Sequence, residues 1–517
     1  MSALPATAII GVIGAGAMGA GIAQVAAQAG HRVCLHDNRD GAAATTIEGI
    51  RQRLERRIAK GKLARQDADA TVTNLVPAED LEELADCHLI IEAIVENLEV
   101  KREVFGRLEA LCRPDTLLAS NTSSLSVTAI AAGLERPERL AGLHFFNPAP
   151  VMALVEVISG LATAPEVADT LHATAVAWGK TPVHARSTPG FIVNRVARPF
   201  YAEGLRLLEE GAADPATLDA LLRDAGDFRM GPFELTDLIG HDVNYAVTRS
   251  VFNAYYGDRR FTPSLAQQAL VDAGRLGRKS GQGFYDYRDK THDGAERPAP
   301  AYADAASAEL PALIVEGDPG LLAPLVARAE RAGLEVIHHA TEPQRAAESP
   351  RLRLGELTLA LSDGRCAAER AADEGLEALV LFDLAHDYAT ARALALAASP
   401  GVDSRGRELA TALFQRLDID VAWLTDTPGL VVLRTVAMLA NEAADAVLQG
   451  VCSAADGDLA MQAGVNYPRG PLAWADDLGT AFVHRTLTHL QQSYGENRYR
   501  PSFLLRRKAL AKETFHV

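Results

Sequence analysis

The chain has 517 residues, too many for one compact core, and its 48% hydrophobic and 23% charged composition is that of ordinary folded domains rather than disorder, collagen or a disulfide scaffold. A net charge of −16 argues against general affinity for nucleic acid or anionic membrane, so a polyanionic ligand needs a local basic site. Five scattered cysteines (Cys34, Cys87, Cys112, Cys366, Cys452), without CxxC or metal-ligand spacing, read as reduced thiols of a cytoplasmic protein, and no metal site is expected.

Residues 8–13 (AIIGVI) are a short apolar run of buried-strand type, followed at once by Gly14-Ala-Gly16-Ala-Met-Gly19 and an alanine-rich helical stretch. The uncharged stretch 8–30 is read as strand and helix rather than signal peptide or membrane span, because no basic region precedes it and Gly11, Gly14, Gly16 and Gly19 interrupt it. Between a strand and a helix, GxGxxG predicts a dinucleotide site. Gly14 permits the tight turn, Gly16 lets the backbone approach a pyrophosphate at the helix N-terminus, and Gly19 allows close packing. The next strand (His31 to His36) closes with Asp37, whose carboxylate can accept from both ribose hydroxyls of NAD and would repel the extra phosphate of NADP; Arg39, two residues on, could favour that phosphate.

A basic helical excursion (Arg51 to Arg65) precedes a strand at 88–94, which ends in Glu92-Ala-Ile-Val-Glu96-Asn97, and a strand at 116–119 that leads into Ser120-Asn121-Thr122-Ser123-Ser124. Strands alternating with helices at this spacing predict an α/β, doubly wound parallel sheet, with Asp37, Glu96 and Ser123 at the carboxyl ends where such sheets bind ligands.

Two further segments are less generic: His144-Phe-Phe-Asn147-Pro-Ala-Pro150-Val-Met-Ala-Leu-Val-Glu156 and Thr188-Pro189-Gly190-Phe-Ile-Val-Asn194-Arg195. Together with the glycine turn, Glu96-Asn97-x-x-x-Lys101 and Asn121-Thr-Ser123-Ser, they resemble the L-3-hydroxyacyl-CoA dehydrogenase family over residues 5–287. Oxidising a secondary alcohol by hydride transfer needs a base for the hydroxyl proton, for which His144 is the candidate. Glu156 can fix its tautomer and stabilise the imidazolium, and the resemblance assigns the same pair. Ser123 and Asn194 would hydrogen-bond the reacting oxygen and the thioester carbonyl. Taken singly, these residues have structural readings: a satisfied core histidine, and a helix cap for the Ser/Thr/Asn run.

The resemblance further implies NAD contacts at Asp37, Glu96, Lys101 and Asn147 besides the glycine turn. It also places coenzyme A phosphates against the basic excursion, at Arg56, Arg57, Lys60 and Lys62. A solvated amphipathic helix face is the alternative for those four. Many relatives carry lysine before Leu-Val-Glu; Ala153 stands here, which leaves His144 and Glu156 untouched but removes a positive charge near them.

The chain also repeats itself. Pro189-Gly190, Gly231-Pro232, Asp237 and Gly240 recur 239 residues later as Pro428-Gly429, Gly470-Pro471, Asp476 and Gly479, whereas Asn194 becomes Leu433. Residues 313–340 lie against 10–37 without a gap: Gly14 and Gly30 persist as Gly317 and Gly333, but Gly16, Gly19 and Asp37 become Pro319, Leu322 and Ala340. The expected organisation is a Rossmann domain (1–187), a helical substrate and dimerisation domain (188–290), a linker (291–310), a degenerate Rossmann-like α/β domain unable to hold NAD (311–427) and a second helical copy (428–517). An unrelated α/β linker domain is the alternative for the fourth. One active site per chain is expected. The resemblance implies dimerisation through the helical domain, so the second copy would make a pseudo-dimer within one chain, with homo-oligomers still open.

Segments 154–164, 194–199 and 466–474 look like the long, duplicated members of the family that act in aerobic phenylacetate degradation, which implies 3-hydroxyadipyl-CoA as substrate. Its distal carboxylate invites a cation, and Arg198, four residues after Asn194, shares a face with it if the segment is one helix; a surface or inter-domain role is the alternative. A 3-hydroxybutyryl-CoA dehydrogenase is the second functional reading, and a non-catalytic, crystallin-like descendant is a third.

Overall fold

The computed structural model describes residues 2–288, 298–339 and 350–516. Part of the expected linker, 291–297, and Ala340, the counterpart of Asp37, lie outside the described residues. The chain divides into two compact units. One comprises the chain up to Arg195 together with Ala446–Val465, and the other comprises Val196–Asp445 and the chain from Asn466 on.

The first unit holds an eight-stranded sheet. Its strands are β1 (Ile10–Ile13), β2 (Val33–His36), β3 (Leu75–Ala78), β4 (Leu89–Glu92), β5 (Leu117–Ser120), β6 (Leu140–Phe145), β7 (Leu154–Ser159) and β8 (Thr181–Arg186), in the order β3-β2-β1-β4-β5-β6-β7-β8. From β3 to β6 all pairings are parallel. β6 meets β7 antiparallel, which puts His144 directly opposite Glu156. The central strands are buried along their whole length, as a parallel sheet covered on both faces requires. Helix Ala17–Gln28 packs against β1 and β2 through Gly19, Ala20, Ala23 and Ala27, residues small enough for close approach.

The second unit holds a seven-stranded sheet of β9 (Leu313–Glu316), β10 (Val336–His339), β11 (Arg351–Leu354), β12 (Leu357–Leu361), β13 (Leu379–Phe382), β14 (Ala393–Ala398) and β15 (Asp420–Trp423), in the order β10-β9-β11-β12-β13-β14-β15. β9 and β10 stand 303 residues after β1 and β2, and Gly317 keeps the left-handed φ of Gly14 (90° against 103°). Antiparallel β11 occupies the position of β4 in the first sheet.

Helices of both copies follow the 239-residue offset: Pro215–Asp224 and Ala454–Val465, Pro232–Ile239 and Pro471–Leu478, His241–Ala254 and Thr480–Tyr494. Ala454–Val465 belongs to the first unit, where Gly464 lies against Leu154 and Val193, although its counterpart Pro215–Asp224 belongs to the second. Within the second unit the two copies are joined by buried charge. Arg434 donates to Glu203 (2.8 Å), to both oxygens of Glu210 (2.8 and 3.0 Å) and to the Tyr499 hydroxyl (2.7 Å). Removing one member of such a network strands a buried charge. Arg434→Met is therefore expected to cost about 3–5 kcal/mol of stability, read as a lowered urea midpoint for loss of the second unit, with Arg434→Lys losing less.

Candidate active site

Gly14 adopts φ 103° at the end of β1, so the chain turns directly into helix Ala17–Gln28. A side chain on Gly19 would collide with the Gly14 carbonyl oxygen, whereas a β-carbon on Gly16 would meet nothing within 4 Å. Gly16 therefore faces open space at a helix N-terminus. It lines a cavity of about 710 Å³ together with Gly14, Asp37, Arg39, Ile94 and Arg107. That cradle fits a dinucleotide, with its pyrophosphate on the helix N-terminus and its ribose at Asp37.

Asp37 Oδ2 accepts the Ala15 N–H (2.8 Å), while Arg39 Nε donates to Oδ1 (2.8 Å). The Arg39 hydrogen bond is the chief reason the Asp37 carboxyl is held down to about 2, so it is ionised at any working pH.

Beyond β4, the Asn97 side chain accepts the Val100 N–H (3.0 Å) and caps helix Leu98–Leu111, bringing Lys101 into that helix's first turn. Lys101 is 1% exposed, its ammonium 2.6 Å from Glu92 and 3.3 Å from Glu96. The helix thus places Lys101, expected as a cofactor contact, as counter-ion to Glu92 and Glu96. Burial would raise the Glu96 carboxyl, but hydrogen bonds from Thr122 and Ser124 and the charge of Lys101 hold it below its ordinary value. Glu96 Oε1 accepts from Thr122 Oγ (2.6 Å) and the Ser123 and Ser124 N–H groups (3.0 Å each), so it shapes the loop that carries Ser123.

The third element is His144. Its Nδ1 lies 2.7 Å from Glu156 Oε2, and Glu156 Oε1 accepts the N–H groups of Ile192 and Val193 (2.9 and 3.0 Å). One buried carboxylate thus holds the imidazole and the start of helix Val193–Val196, on which Asn194 sits. The Asn194 amide in turn donates to the Ser123 carbonyl (3.4 Å), and Asn121 Oδ1 accepts the Phe145 N–H (2.8 Å). His144, Glu156, Ser123 and Asn194 are therefore gathered into one place, with Phe146 and Phe191 beside the ring (centroids 4.6 and 6.0 Å away).

Sequence reasoning missed Glu92, Asn121 and Lys180. The first two sit inside motifs already singled out, and only the fold reveals that their side chains point inward. Lys180 donates to the carbonyls of Ala149 and Met152 (2.6 and 2.9 Å), pinning the turn that carries Asn147, itself exposed. Ala153 is exposed on the same turn.

Arg56, Arg57, Lys60 and Lys62 form an exposed basic group where helix Ala42–Ala59 ends. Arg198 does not continue the helix of Asn194. That helix stops at Val196, and a new one, Arg198–Glu209, starts after Ala197. The reason is Pro199, which has no N–H to donate back to Arg195; Met438 stands 239 residues on, in the uninterrupted helix Val432–Leu448. The condition set for a shared face, one unbroken helix from Asn194 to Arg198, is thus not met, and Arg198 is buried in the second unit.

In the second copy, the same offset puts Asp383 where His144 stands and Ala395 where Glu156 stands, with the two paired across β13 and β14 through the Asp383 N–H and the Ala395 carbonyl. Asp383 accepts the N–H groups of Val431, Val432 and Leu433 (2.9, 2.7 and 3.0 Å). The capping carboxylate has moved across to the neighbouring strand, and the imidazole is gone. Gly320–Leu322 tightens into a 3₁₀ turn where the first copy begins its phosphate-facing helix.

Among the described residues no helix is long and apolar enough to cross a membrane, and no cluster suits a metal ion.

A glycine turn at a helix N-terminus, an acidic end to the second strand and an imidazole backed by a carboxylate define the class as a dinucleotide-dependent oxidoreductase. Family models agree. The 3-hydroxyacyl-CoA dehydrogenase NAD binding domain matches residues 9–188, the C-terminal domain of the same enzymes matches both 190–287 and 429–514, and a 3-hydroxybutyryl-CoA dehydrogenase reduced Rossmann-fold domain matches 359–428. The chain is 46% identical over 508 residues to the 3-hydroxyadipyl-CoA dehydrogenase of Escherichia coli K12, covering 98% of each. Human mitochondrial hydroxyacyl-coenzyme A dehydrogenase is 41% identical over 284 residues, 54% of this chain and 90% of that one. A crystal structure described as 3-hydroxybutyryl-CoA dehydrogenase from E. coli K12 superposes with a TM-score of 0.87 at 44% identity, covering 98% of this chain and 99% of that one. The chain belongs to the 3-hydroxyacyl-CoA dehydrogenase family, and its cofactor is NAD.

Because a β-carbon at Gly16 meets no protein atom but intrudes where the pyrophosphate approaches, Gly16→Val is expected to weaken NAD binding about 100-fold, on the order of 2.7 kcal/mol, in a fluorescence titration while leaving the melting temperature unchanged.

Proposed function

We propose that this protein oxidises (S)-3-hydroxyacyl-CoA to 3-oxoacyl-CoA at one site per chain, with His144 as general base. The carrying observation is the 2.7 Å pairing of His144 Nδ1 with Glu156. Since Nδ1 is engaged, Nε2 is the ring nitrogen left to take the proton of the substrate hydroxyl. Glu156 fixes that tautomer and stabilises the imidazolium. Ser123 Oγ and the Asn194 amide hold the reacting oxygen and the thioester carbonyl as charge shifts. Bound on the glycine turn, NAD supplies the hydride acceptor. Asp37, Glu96 and Asn147 are its side-chain contacts, with Lys101 acting through Glu96. Coenzyme A meets the exposed group of Arg56, Arg57, Lys60 and Lys62; among the described residues Arg57, Lys60 and Lys62 carry no ion pair.

The acyl group is read as 3-hydroxyadipyl, because likeness to the E. coli 3-hydroxyadipyl-CoA dehydrogenase runs over both copies rather than over the catalytic half alone. The description of the superposing E. coli structure supports 3-hydroxybutyryl-CoA as the second reading. A crystallin-like role gives no reason for the four site residues to remain assembled. The second copy serves as an internal partner, a reading supported by the Arg434 network within the second unit, and is silent because Asp383, Ala395 and Leu433 stand where His144, Glu156 and Asn194 act. Five free cysteines support a reducing, cytoplasmic location.

NADH formation from a panel of 3-hydroxyacyl-CoA esters tests this reading, with the adipyl ester expected to show the highest kcat/KM. His144→Gln is expected to lower kcat by about 10²–10⁴ with little change in KM; undiminished turnover would remove His144 as the base. Calorimetric titration is expected to give one NAD per chain, and two would overturn the silent second copy.

A further inference from the structure

Arg198 is 5% exposed, and no carboxylate lies within ion-pairing distance of it among the described residues. Its guanidinium stacks over the Tyr201 ring (4.7 Å), one terminal nitrogen donates to Thr248 Oγ (3.2 Å), and Nε has no hydrogen-bond partner. Burial accordingly depresses its ionisation from the ordinary arginine range, with only Tyr201 and Tyr467 opposing. A buried cation without an anion is costly, and proteins seldom keep one unless something completes it.

The surroundings are a cavity of about 70 Å³, enclosed by helix Arg198–Glu209, Thr248, the segment 260–264 and Gln267. Its other arginines are already answered: Arg206 by Glu203 and the Arg260 carbonyl, Arg260 by Glu442 and Asp445, and Arg498 by Glu496. Arg198 is therefore the cation there left without a counter-charge. The Thr248 hydroxyl is spent on the Asn244 carbonyl and the lining carboxylate of Glu209 on Ser264 and the Ala266 N–H, which leaves the Arg198 guanidinium and the Tyr201 hydroxyl to meet a ligand. At roughly 10–15 Å³ per water-sized probe, the space takes a few such groups, which suits a carboxylate or small oxyanion and not a nucleotide.

We propose that this cavity is a carboxylate-class anion site whose ligand supplies the counter-charge Arg198 lacks. The ligand is a carboxylate or small oxyanion taken from solution; selectivity among acyl-CoA esters, an arm that rests on the dehydrogenase reading above, is the outcome that assigns it to the substrate instead.

Two measurements separate them. The first compares kcat/KM for 3-hydroxyadipyl-CoA and 3-hydroxyhexanoyl-CoA, esters of equal chain length that differ in the terminal carboxylate, in the wild type and in Arg198→Met. A loss of about thirtyfold or more on the adipyl ester, carried by KM, with the hexanoyl ester within twofold, assigns the site to the substrate. The second is the melting midpoint in acetate or inorganic phosphate against chloride at equal ionic strength. A rise of about 2–4 °C in the wild type that vanishes in Arg198→Met, with both esters unaffected, assigns it to a free anion. Equal losses on both esters together with no anion-dependent midpoint overturn the proposal. Should Arg198→Met fail to fold, Arg198→Lys, which keeps the charge but not the planar fork, is expected to show the same selectivity at reduced size. If the wild type oxidises neither ester, the dehydrogenase reading falls, and the anion-dependent midpoint still decides the cavity.

Discussion

One buried carboxylate holds the candidate active site together. Glu156 is fully enclosed, and a charge in such a place survives only when its oxygens are occupied. One oxygen takes the imidazole of His144 and the other takes two backbone N–H groups at the start of the Asn194 helix. Those N–H groups point at it because the chain turns through left-handed conformations at Gly190 (φ 78°) and Phe191 (φ 48°) just beforehand. Three segments that look like separate motifs in the sequence, around residues 144, 156 and 190, are thus one electrostatic unit. A change in any of them alters the geometry of the other two.

The second copy shows which part of this arrangement is structural. Gly429 (φ 77°) and Leu430 (φ 52°) repeat the turn, and the following N–H groups again find a buried carboxylate, now Asp383. Burial pushes the Asp383 carboxyl up to about 6, while the backbone N–H groups oppose that rise and favour its ionised form. The helix-capping carboxylate has persisted in the second copy while the imidazole beside it has not. The second copy also supplies packing to the first unit. Its segment Ala446–Val465 is part of the first unit, where Gln449 accepts from Arg195 (2.8 Å), the residue after Asn194, and Gly464 packs on Leu154 at the start of the Glu156 strand. Losing that segment would strip packing from the strand that carries Glu156.

Much of this was legible in the residues. The strand, glycine turn and helix at 10–28 carry local geometry that few sequences satisfy by chance, and the constant 239-residue offset by itself exposes the duplication. The same offset, extended back to His144 and Glu156, would have revealed Asp383 and Ala395 as well. Other features depended on contacts that sequence spacing does not encode. Lys101 lies at the right distance along the chain to reach a ligand, but the inward face of its helix carries it to Glu92. Arg198 is four residues from Asn194, a spacing that implies a shared face only on an unbroken helix, and Pro199 was the available warning. Nor does local pattern announce that β11 runs antiparallel in the place of β4, since a short apolar strand reads alike in either direction.

The first unit's charges also explain how an acidic protein discriminates among dinucleotides. Asp37 is ionised at all working pH values, yet Arg39 sits on it, so its net repulsion of a 2′-phosphate is partly cancelled. What survives the cancellation is geometry. The Ala15 N–H and three Arg39 donors hold both carboxylate oxygens in place, so a ribose hydroxyl meets an oriented acceptor by taking over an Arg39 contact, whereas a phosphate oxygen has no proton to donate there. Arg39 spends Nε and Nη2 of its guanidinium on Asp37. The acidic end of the second strand is therefore met by an Asp37–Arg39 pair rather than by a lone charge.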